Sequence, residues 1–236
     1  MNKNNLDIVI YCTDNFLPVV TGKVIPSLKS TDIDNIHIWY HKNQPDCQPG
    51  ATDNSIYQDL MIERKIEYTN YIRSKKAGSR VIFLDADIIF KSPIIDTFIA
   101  CLDKCDIVFQ GSAANDDRFY LCSGIVGVKC NKKVLNFMDN VFIPCIKSGE
   151  LRQTGTPQAE ENILIRGTAL AGNDQDGYLS IELKIEDSQS KNIKIPYIKK
   201  YDMTIGTFPK LIGDGSMLYH AMNTAHSIEA KLEALN

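Results

Sequence analysis

The segment VIFLDADIIF, residues 81–90, places two carboxylates one residue apart at the end of an apolar run. The apolar residues before the pair are typical of a strand buried in a sheet. In an extended chain alternate side chains lie on the same side, so Asp85 and Asp87 point the same way, with the small Ala86 between them. Two carboxylates placed side by side repel each other unless a cation intervenes. The segment therefore predicts either a cation site at a strand end or a turn with two solvated aspartates.

The order of the predicted elements indicates an α/β protein. Strands and helices alternate over the first half of the chain, which favours a doubly wound mixed sheet, mostly parallel and flanked by helices. We expect a single domain over residues 1–236. The clearest helix is Ser55–Ala77, where Ser55 and Gln58 form a capping box and Gly78 provides a C-terminal stop.

The other predicted elements are, in chain order, a strand at Leu6–Cys12, a helix at Val19–Lys29 with Pro26 inside it, a strand at Ile36–His41, a loop at Asn43–Asn54, a strand at Arg80–Leu84, a helix at Ile94–Leu102, strands at Asp106–Gly111 and Phe119–Lys129, helices at Lys132–Ile146 and Gln158–Ile165, an edge hairpin around Tyr178–Glu186, a strand at Ser216–His220 and a helix at Thr224–Leu235.

The predicted helix Ser55–Ala77 carries a cation on its apolar side. Apolar residues such as Leu60, Tyr68 and Ile72 recur at helical spacing, and Arg64 falls on the same stripe. A long cation that points inward either meets an anion or extends to the edge of the buried surface.

Charge and hydropathy argue against several classes of partner. A net charge of −3 gives no electrostatic reason to expect nucleic acid or an anionic membrane surface. No apolar run approaches the roughly 18–20 residues of a membrane span. Met1–Cys12 lacks a cleavage-like small-residue site, so it predicts a strand and not a signal peptide. Seven cysteines without a CxxC pair favour a reducing, cytoplasmic compartment.

A hard divalent cation suits the two aspartates of the VIFLDADIIF segment. In open α/β sheets, ligands bind beyond the carboxyl ends of the strands, where Asp85 and Asp87 are predicted to lie. Magnesium and manganese take oxygen ligands and commonly bridge to the phosphates of a substrate.

Four short motifs follow one another in an order that is found in one enzyme superfamily. FLDAD is an apolar strand ending in DxD at Asp85 and Asp87, and LCSGIVGV is a later strand with a small-residue loop at Ser123 and Gly124. AEEN then places an acidic pair at a helix start, and LYHAMN supplies a late histidine. Through these motifs, residues 80–223 resemble the GT-A fold glycosyltransferases, enzymes that use nucleotide-diphosphate sugars.

The resemblance implies a metal site and a nucleotide site. Asp87 would bind Mn²⁺ or Mg²⁺ directly, and Asp85 would share the metal or hold the ribose. His220 would supply an imidazole, a ligand that suits manganese better than magnesium. The metal would neutralise the diphosphate leaving group. Thr13 and Asp14, at the end of the first strand, would hydrogen-bond a pyrimidine ring and ribose.

Other positions would contact the rest of the donor. Arg64 and Lys65, on the helix before the DxD strand, would contact phosphate or base. Ser123 and Gly124 would let the backbone approach the donor sugar or the acceptor closely, as glycine permits.

The resemblance places the reaction at Glu160 or Glu161. In an inverting enzyme one of them would deprotonate the acceptor hydroxyl as general base. In a retaining enzyme it would stabilise an oxocarbenium-like state or act as nucleophile. Many inverting members have Asp at the second position of this pair, and Glu161 stands there here, so the stereochemical outcome stays open. An acidic pair at a helix start also has a structural explanation in the helix dipole.

The predicted function is metal-dependent transfer of a sugar to an acceptor hydroxyl on a glycan or other molecule. A UDP-sugar is the favoured donor because UDP is commonest in the family, and GDP remains open. Residues 1–110 would form the nucleotide-binding half and residues 111–236 the acceptor and catalytic half. With no membrane span predicted, the acceptor would be soluble or brought by a partner. Asp87→Ala is expected to abolish metal-dependent nucleotide binding with little loss of stability, because an exposed site residue contributes little packing.

Other functions compete with this one. FLDADII also resembles the first motif of haloacid dehalogenase-type phosphatases, and IGDGSM, with Asp214, resembles their late metal-binding motif. In that family the nucleophile strand comes first in the core, whereas strands and helices precede it here. A non-catalytic nucleotide- or carbohydrate-binding module would keep the fold without turnover. A sugar-1-phosphate nucleotidyltransferase is disfavoured because the first strand lacks a glycine-rich loop to grip triphosphate.

Overall fold

The structure is a computed structural model that describes residues 6–29, 35–41, 55–111, 121–147, 178–184, 190–198, 202–207, 218–220 and 228–235. The strands are β1 (Leu6–Thr13), β2 (Ile36–His41), β3 (Arg80–Leu84), β4 (Ile88–Phe90), β5 (Ile107–Gly111), β6 (Leu121–Lys129), β7 (Tyr178–Lys184), β8 (Ser190–Ile198), β9 (Met203–Thr207) and β10 (Leu218–His220). The helices are α1 (Leu17–Val19), α2 (Ile25–Lys29), α3 (Ser55–Ser74), α4 (Ile95–Lys104), α5 (Lys132–Phe137), α6 (Ile143–Lys147) and α7 (Ile228–Ala234).

Eight of these strands form one mixed sheet in the order β2-β1-β3-β6-β5-β9-β8-β7. β1 pairs in parallel with β2 and β3, and β5 pairs in parallel with β9. β6 runs antiparallel between β3 and β5, and the β7–β8 hairpin lies at the far edge. The predicted class, a mixed α/β sheet flanked by helices, is confirmed, and the carboxyl ends of β1, β2 and β3 meet at one edge.

Both faces of the sheet are buried at β1, β3, β5 and β6. Alternate residues of β1 lie in different cores, Ile8 and Ile10 on one face and Val9 and Tyr11 on the other. Side chains of α1, α2 and α4 pack on the first face, and those of α3 and α5 on the second. Each fully buried aliphatic or aromatic side chain contributes about 1.5–3 kcal/mol relative to exposure. Burial on both faces explains why these strands read as continuous apolar runs.

A second sheet of two strands lies immediately after the DxD sequence. β10 pairs antiparallel with β4, with Leu218 opposite Phe90 and His220 opposite Ile88. A segment near the end of the sequence is therefore held beside residue 88.

Most predicted elements are present with shifted ends. α3 begins at Ser55 as predicted but ends at Ser74, before Ala77. Gly78 has a left-handed φ of 89°, and its N–H donates to the carbonyl of Cys130 (2.8 Å), so the chain turns toward β6 and leaves the helix. An edge hairpin is present as β7 and β8, but β8 lies beyond the predicted Tyr178–Glu186, and β9 was not predicted.

Some predictions fall outside the described residues. They are the loop Asn43–Asn54, the helix Gln158–Ile165, the side chains of the capping box at Ser55 and Gln58, and residues 224–227 of the last predicted helix. Within the described ranges, no helix combines the length and apolar character that crossing a membrane requires.

Candidate functional site

Polar side chains gather where β1, β2 and β3 end. The parallel register sets Thr13 opposite His41 and Ile10 opposite Leu84. Asp85 follows β3 directly, and its N–H donates to the carbonyl of Gly124 on β6 (2.9 Å). Two residues predicted separately to belong to the site are therefore in contact through the backbone. Ligands of open α/β sheets bind at this kind of edge.

Arg64 of α3 meets an anion inside the protein. Its Nη2 lies 2.5 Å from Oδ1 of Asp85, and its Nε donates to the hydroxyl of Tyr68 at 2.5 Å. The guanidinium also lies over the rings of Tyr11 and Tyr68, 5.8 Å and 5.2 Å from their centroids. Of the two expectations for this inward cation, an anionic partner is the one observed.

Asp87 is buried and paired with a residue that sequence reasoning missed. Its Oδ2 lies 2.6 Å from Nζ of Lys231 on α7, and the two residues are 9% and 8% exposed. The expectation that Asp87 is an exposed residue is therefore wrong, because α7 covers it. Replacing it by alanine would leave a buried ammonium without its carboxylate, which costs stability. No local motif marks Lys231, because 144 residues separate it from Asp87.

The backbone of His220 lies beside the two aspartates. Its pairing opposite Ile88 brings the last residue of β10 next to the residue that follows Asp87. Two carboxylates with an imidazole supply the oxygen and nitrogen ligands that manganese accepts, so the chemistry of these residues fits such an ion. Among the side chains that are described, no group of three His, Cys, Asp or Glu is clustered as metal ligands.

Two buried oxygens at the end of β1 lack hydrogen-bond partners among the described residues. They are the Tyr11 hydroxyl and Oδ1 of Asp14. Burial, reinforced by the charge of Glu63, raises the pKa of Tyr11 to about 12, while Arg64 acts in the opposite direction. The Tyr11 hydroxyl therefore stays protonated well into the alkaline range and can donate. Unsatisfied buried oxygens are costly, so a pair of them at a strand end indicates a place for a ligand.

The neighbouring strand β2 contributes aromatic and basic side chains to the same edge. A hydrogen bond to Asp14 is the main cause that raises the pKa of Tyr40, whose side chain is largely exposed. His41 Nε2 lies 3.1 Å from Oε2 of Glu63, and its ring centroid is 6.5 Å from that of Tyr11. Sequence reasoning missed Tyr40 and His41, because a tyrosine and a histidine in a strand have no signature without the parallel register.

The remaining predicted residues are brought to the edge to different degrees. Thr13 Oγ1 donates to Oδ1 of Asn15 at 2.6 Å, a local contact beside Asp14. Lys65 is buried against the Tyr68 ring, with Nζ 5.2 Å from the centroid. It lines a cavity on the α3 face of the sheet, away from the DxD turn.

Besides His220, of which only the backbone is described, three predicted residues have no described side chain. Ser123 lies in β6 one residue before Gly124, where β5 and β6 shift register. Glu160 and Glu161 lie outside the described residues.

Comparison with solved structures finds glycosyltransferases. One involved in the glycosylation of the major capsid of PBCV-1 is 9% identical, with a TM-score of 0.53 over 97% of this chain and 98% of that chain. LgtC, a galactosyltransferase in complex with donor and acceptor sugar analogs, is 14% identical, with a TM-score of 0.44 over 67% of this chain and 70% of that chain. GlyE of Streptococcus pneumoniae TIGR4 is 12% identical, with a TM-score of 0.42 over 68% of this chain and 42% of that chain. No protein-family model and no curated protein matches the sequence.

The likeness to the PBCV-1 enzyme extends over nearly the whole of both chains. At 9% identity it is a likeness of fold alone. The chain therefore has the fold of the GT-A glycosyltransferases.

Proposed function

We propose that this protein is a metal-dependent glycosyltransferase that moves a sugar from a nucleotide-diphosphate donor, preferentially a UDP-sugar, to an acceptor hydroxyl. One observation carries the proposal. Within a glycosyltransferase fold, a single sheet edge holds the Tyr11 hydroxyl and Oδ1 of Asp14, which lack partners among the described residues, together with the part-buried Arg64–Asp85 pair. Unsatisfied polar atoms suit a nucleoside, and a buried guanidinium suits a diphosphate.

The nucleoside would lie at the end of β1. The carboxylate of Asp14 is an acceptor, and it matches the N–H that uracil presents at N3 and guanine at N1. Cytosine has no proton at N3, so this carboxylate would disfavour CDP. The protonated Tyr11 hydroxyl would add a donor beside it. Thr13, adjacent to Asp14, would contact the ribose.

The diphosphate would lie at the end of β3. Asp85, Asp87 and His220 would hold Mn²⁺ or Mg²⁺, which neutralises charge on the leaving diphosphate when bound. Arg64 would add a fixed positive charge at the same place, because its hydrogen bonds to Asp85 and Tyr68 hold the guanidinium in one orientation. Gly124, whose carbonyl accepts from Asp85, has no side chain and would let the backbone approach the sugar closely.

Glu160 or Glu161 is proposed to serve the acceptor hydroxyl, as a base in an inverting reaction or as the stabilising carboxylate in a retaining one. Parallel Glu160→Gln and Glu161→Gln variants test which residue acts. The variant at the catalytic position should lose turnover and keep the affinity for UDP. If both variants lose turnover equally, or if neither loses it, assignment of the role to one of the two residues is contradicted.

Thermal unfolding with UDP, GDP or CDP, each with and without Mn²⁺, tests the donor site. A ligand at about 100 times its dissociation constant stabilises a protein by about 2.7 kcal/mol, which raises the unfolding temperature of a domain of this size by several degrees. We expect a rise for UDP that requires Mn²⁺, a smaller rise or none for GDP, and none for CDP.

Two variants make the result specific. Asp87→Asn keeps an oxygen for Lys231 while removing a metal-binding charge, and it should abolish the Mn²⁺-dependent part of the rise. Asp14→Asn should reduce the preference for UDP over CDP. A rise that is equal for all three nucleotides and indifferent to Mn²⁺ would contradict the proposal.

Products separate the proposed enzyme from its rivals. A glycosyltransferase releases UDP from a UDP-sugar when an acceptor is present. A phosphatase releases orthophosphate from a phosphomonoester, and a binding module gives the thermal rise without any product.

A further inference from the structure

Lys231 is carried to the DxD turn by a helix that is itself fixed to the core. Leu235, the residue after α7, is 4% exposed and belongs to the same buried cluster as Val19 and Phe98. The N–H of Leu235 donates to the carbonyl of Lys231 at 3.0 Å, so the two residues are one helical turn apart on the same face. Leu235 thus seats the helix, and the same face presents the ammonium to Asp87.

In the described part of the chain, each carboxylate at this turn meets a cation. Arg64 contacts Asp85 at 2.5 Å, and Lys231 contacts Asp87 at 2.6 Å. Two positive and two negative side chains balance, so these four groups present no net negative charge to an incoming divalent ion. An incoming cation must therefore compete for Oδ2 of Asp87 with the ammonium of Lys231, which already contacts that oxygen.

We propose that Lys231 is a tethered counter-cation that occupies the place of the metal at Asp87, so that a divalent metal binds only by displacing it. The inference rests on the metal site of the proposed function, and it adds a conformational consequence. Because Lys231 and Leu235 lie on one face of α7, withdrawing the ammonium from Asp87 loosens the docking of the helix. Metal binding and the seating of α7 are then reciprocally linked.

The linkage predicts that Mn²⁺ alone is held weakly. Displacing Lys231 breaks a buried ion pair before any metal–ligand bond is gained. A diphosphate supplies negative charge that offsets both the metal and the released ammonium, so the nucleotide and the metal should bind cooperatively.

The test measures the affinity for Mn²⁺ without nucleotide, from the electron paramagnetic resonance signal of the free ion. Lys231→Met removes the ammonium and keeps a long apolar stem, and it should tighten Mn²⁺ binding by about tenfold or more. The matched control is Lys75→Met, which removes a lysine 2.7 Å from Asp7 at the opposite end of β1. The control should bind Mn²⁺ as the wild type does.

An affinity of Lys231→Met for Mn²⁺ that is equal to or weaker than that of the wild type would overturn the inference, as would the absence of Mn²⁺ binding to both proteins. Hydrogen exchange of the wild type decides the matter if the variant fails to fold. Saturating Mn²⁺ should accelerate exchange of the amides of residues 228–235, and unchanged protection there would also overturn it. Neither measurement requires nucleotide or sugar transfer. If Lys231→Met binds Mn²⁺ more tightly and the wild type releases no UDP from a UDP-sugar, the proposed function is refuted and the inference about Lys231 stands.

Discussion

Two arginines of α3 make the same bond in different surroundings. Arg64 reaches Asp85 and Arg73 reaches Asp139, each with an N–O distance of 2.5 Å. The side chains of the first pair are 7% and 27% exposed, whereas those of the second are 49% and 48% exposed. Solvent screens an exposed pair, and removing one partner of a buried pair leaves an uncompensated charge. Comparing the two pairs therefore separates the effect of bond geometry on the free energy of unfolding from the effect of burial.

Arg64→Met should lower the free energy of unfolding by about 2–3 kcal/mol, because it leaves the Asp85 carboxylate and the Tyr68 hydroxyl without their partner. Arg73→Met should cost less than about 1 kcal/mol. Urea unfolding at neutral pH and low salt measures both values. Equal losses for the two variants would mean that burial does not govern this ion pair.

The sequence indicated some site residues and left others unmarked for physical reasons. The DxD pair stands out because charge interrupts an apolar strand, and Arg64 stands out because a cation lies on an apolar stripe. Lys231 and Tyr11 are unremarkable in their own segments. Their importance arises from contacts between distant parts of the chain, which periodicity does not encode.

At the scale of elements, Asn131 joins a helix cap to the sheet. Its Oδ1 accepts from the N–H of Val134 at 2.9 Å, which caps α5, and its Nδ2 donates to Oδ1 of Asp106 at 2.7 Å. Asp106 in turn accepts from the backbone N–H of Thr204, at the start of β9, at 3.0 Å. The side chains of Asn131 and Asp106 together thus connect α5, the start of β5 and β9.

Asn131→Ala should destabilise the protein by about 1–2 kcal/mol through loss of the cap and of the bond to Asp106. Asn131→Asp keeps a capping oxygen but places a carboxylate against Asp106, so it should also destabilise, and less so at low pH. Asn140→Ala, on an exposed helical surface, is the control and should change stability by less than about 0.5 kcal/mol. Chemical denaturation measures all three. Wild-type stability of Asn131→Asp at neutral pH would show that donation to Asp106 is unimportant.

The sequence located two of the helical segments but did not reveal the π-helical turns within them. Val20–Val24 and Met138–Phe142 are π-helical turns inside predicted helices, and each ends two residues before a proline, Pro26 and Pro144. Proline lacks an N–H and removes one helical hydrogen bond, which explains why the wider turn is tolerated there. β9 was missed because MTIGT is short and contains glycine, so its identity as a strand depends on pairing with β5 and β8.

At the scale of the whole molecule, burial on both faces of the sheet sets the behaviour of the cysteines. Cys12, Cys101, Cys105 and Cys130 are free and buried. Burial raises the pKa of Cys101 and Cys105 from 9.0 to about 12, because a thiolate would lose its hydration inside the core. The fold thus keeps the thiols protonated over a range in which an unfolded chain ionises them.

This difference predicts how stability changes at alkaline pH. Above about pH 9 the unfolded state loses thiol protons that the folded state retains, so the unfolded state binds fewer protons and stability falls as pH rises toward 12. Each such thiol should cost about 1 kcal/mol between about pH 8 and pH 10. The double variant Cys101→Ala/Cys105→Ala should therefore lose about 2 kcal/mol less than the wild type over this interval.

Urea unfolding across the same pH interval measures the effect as a slope, so the cavity left by the shorter side chains, which lowers stability equally at every pH, does not obscure it. Val134→Ala supplies the matched cavity without a titrating group, since Val134 is fully buried on α5, and it should keep the wild-type slope. If the double variant and Val134→Ala show the same slope, the thiols of the folded state ionise as readily as those of the unfolded chain. The core around α4 would then admit water to both cysteines, in conflict with their burial beneath the sheet.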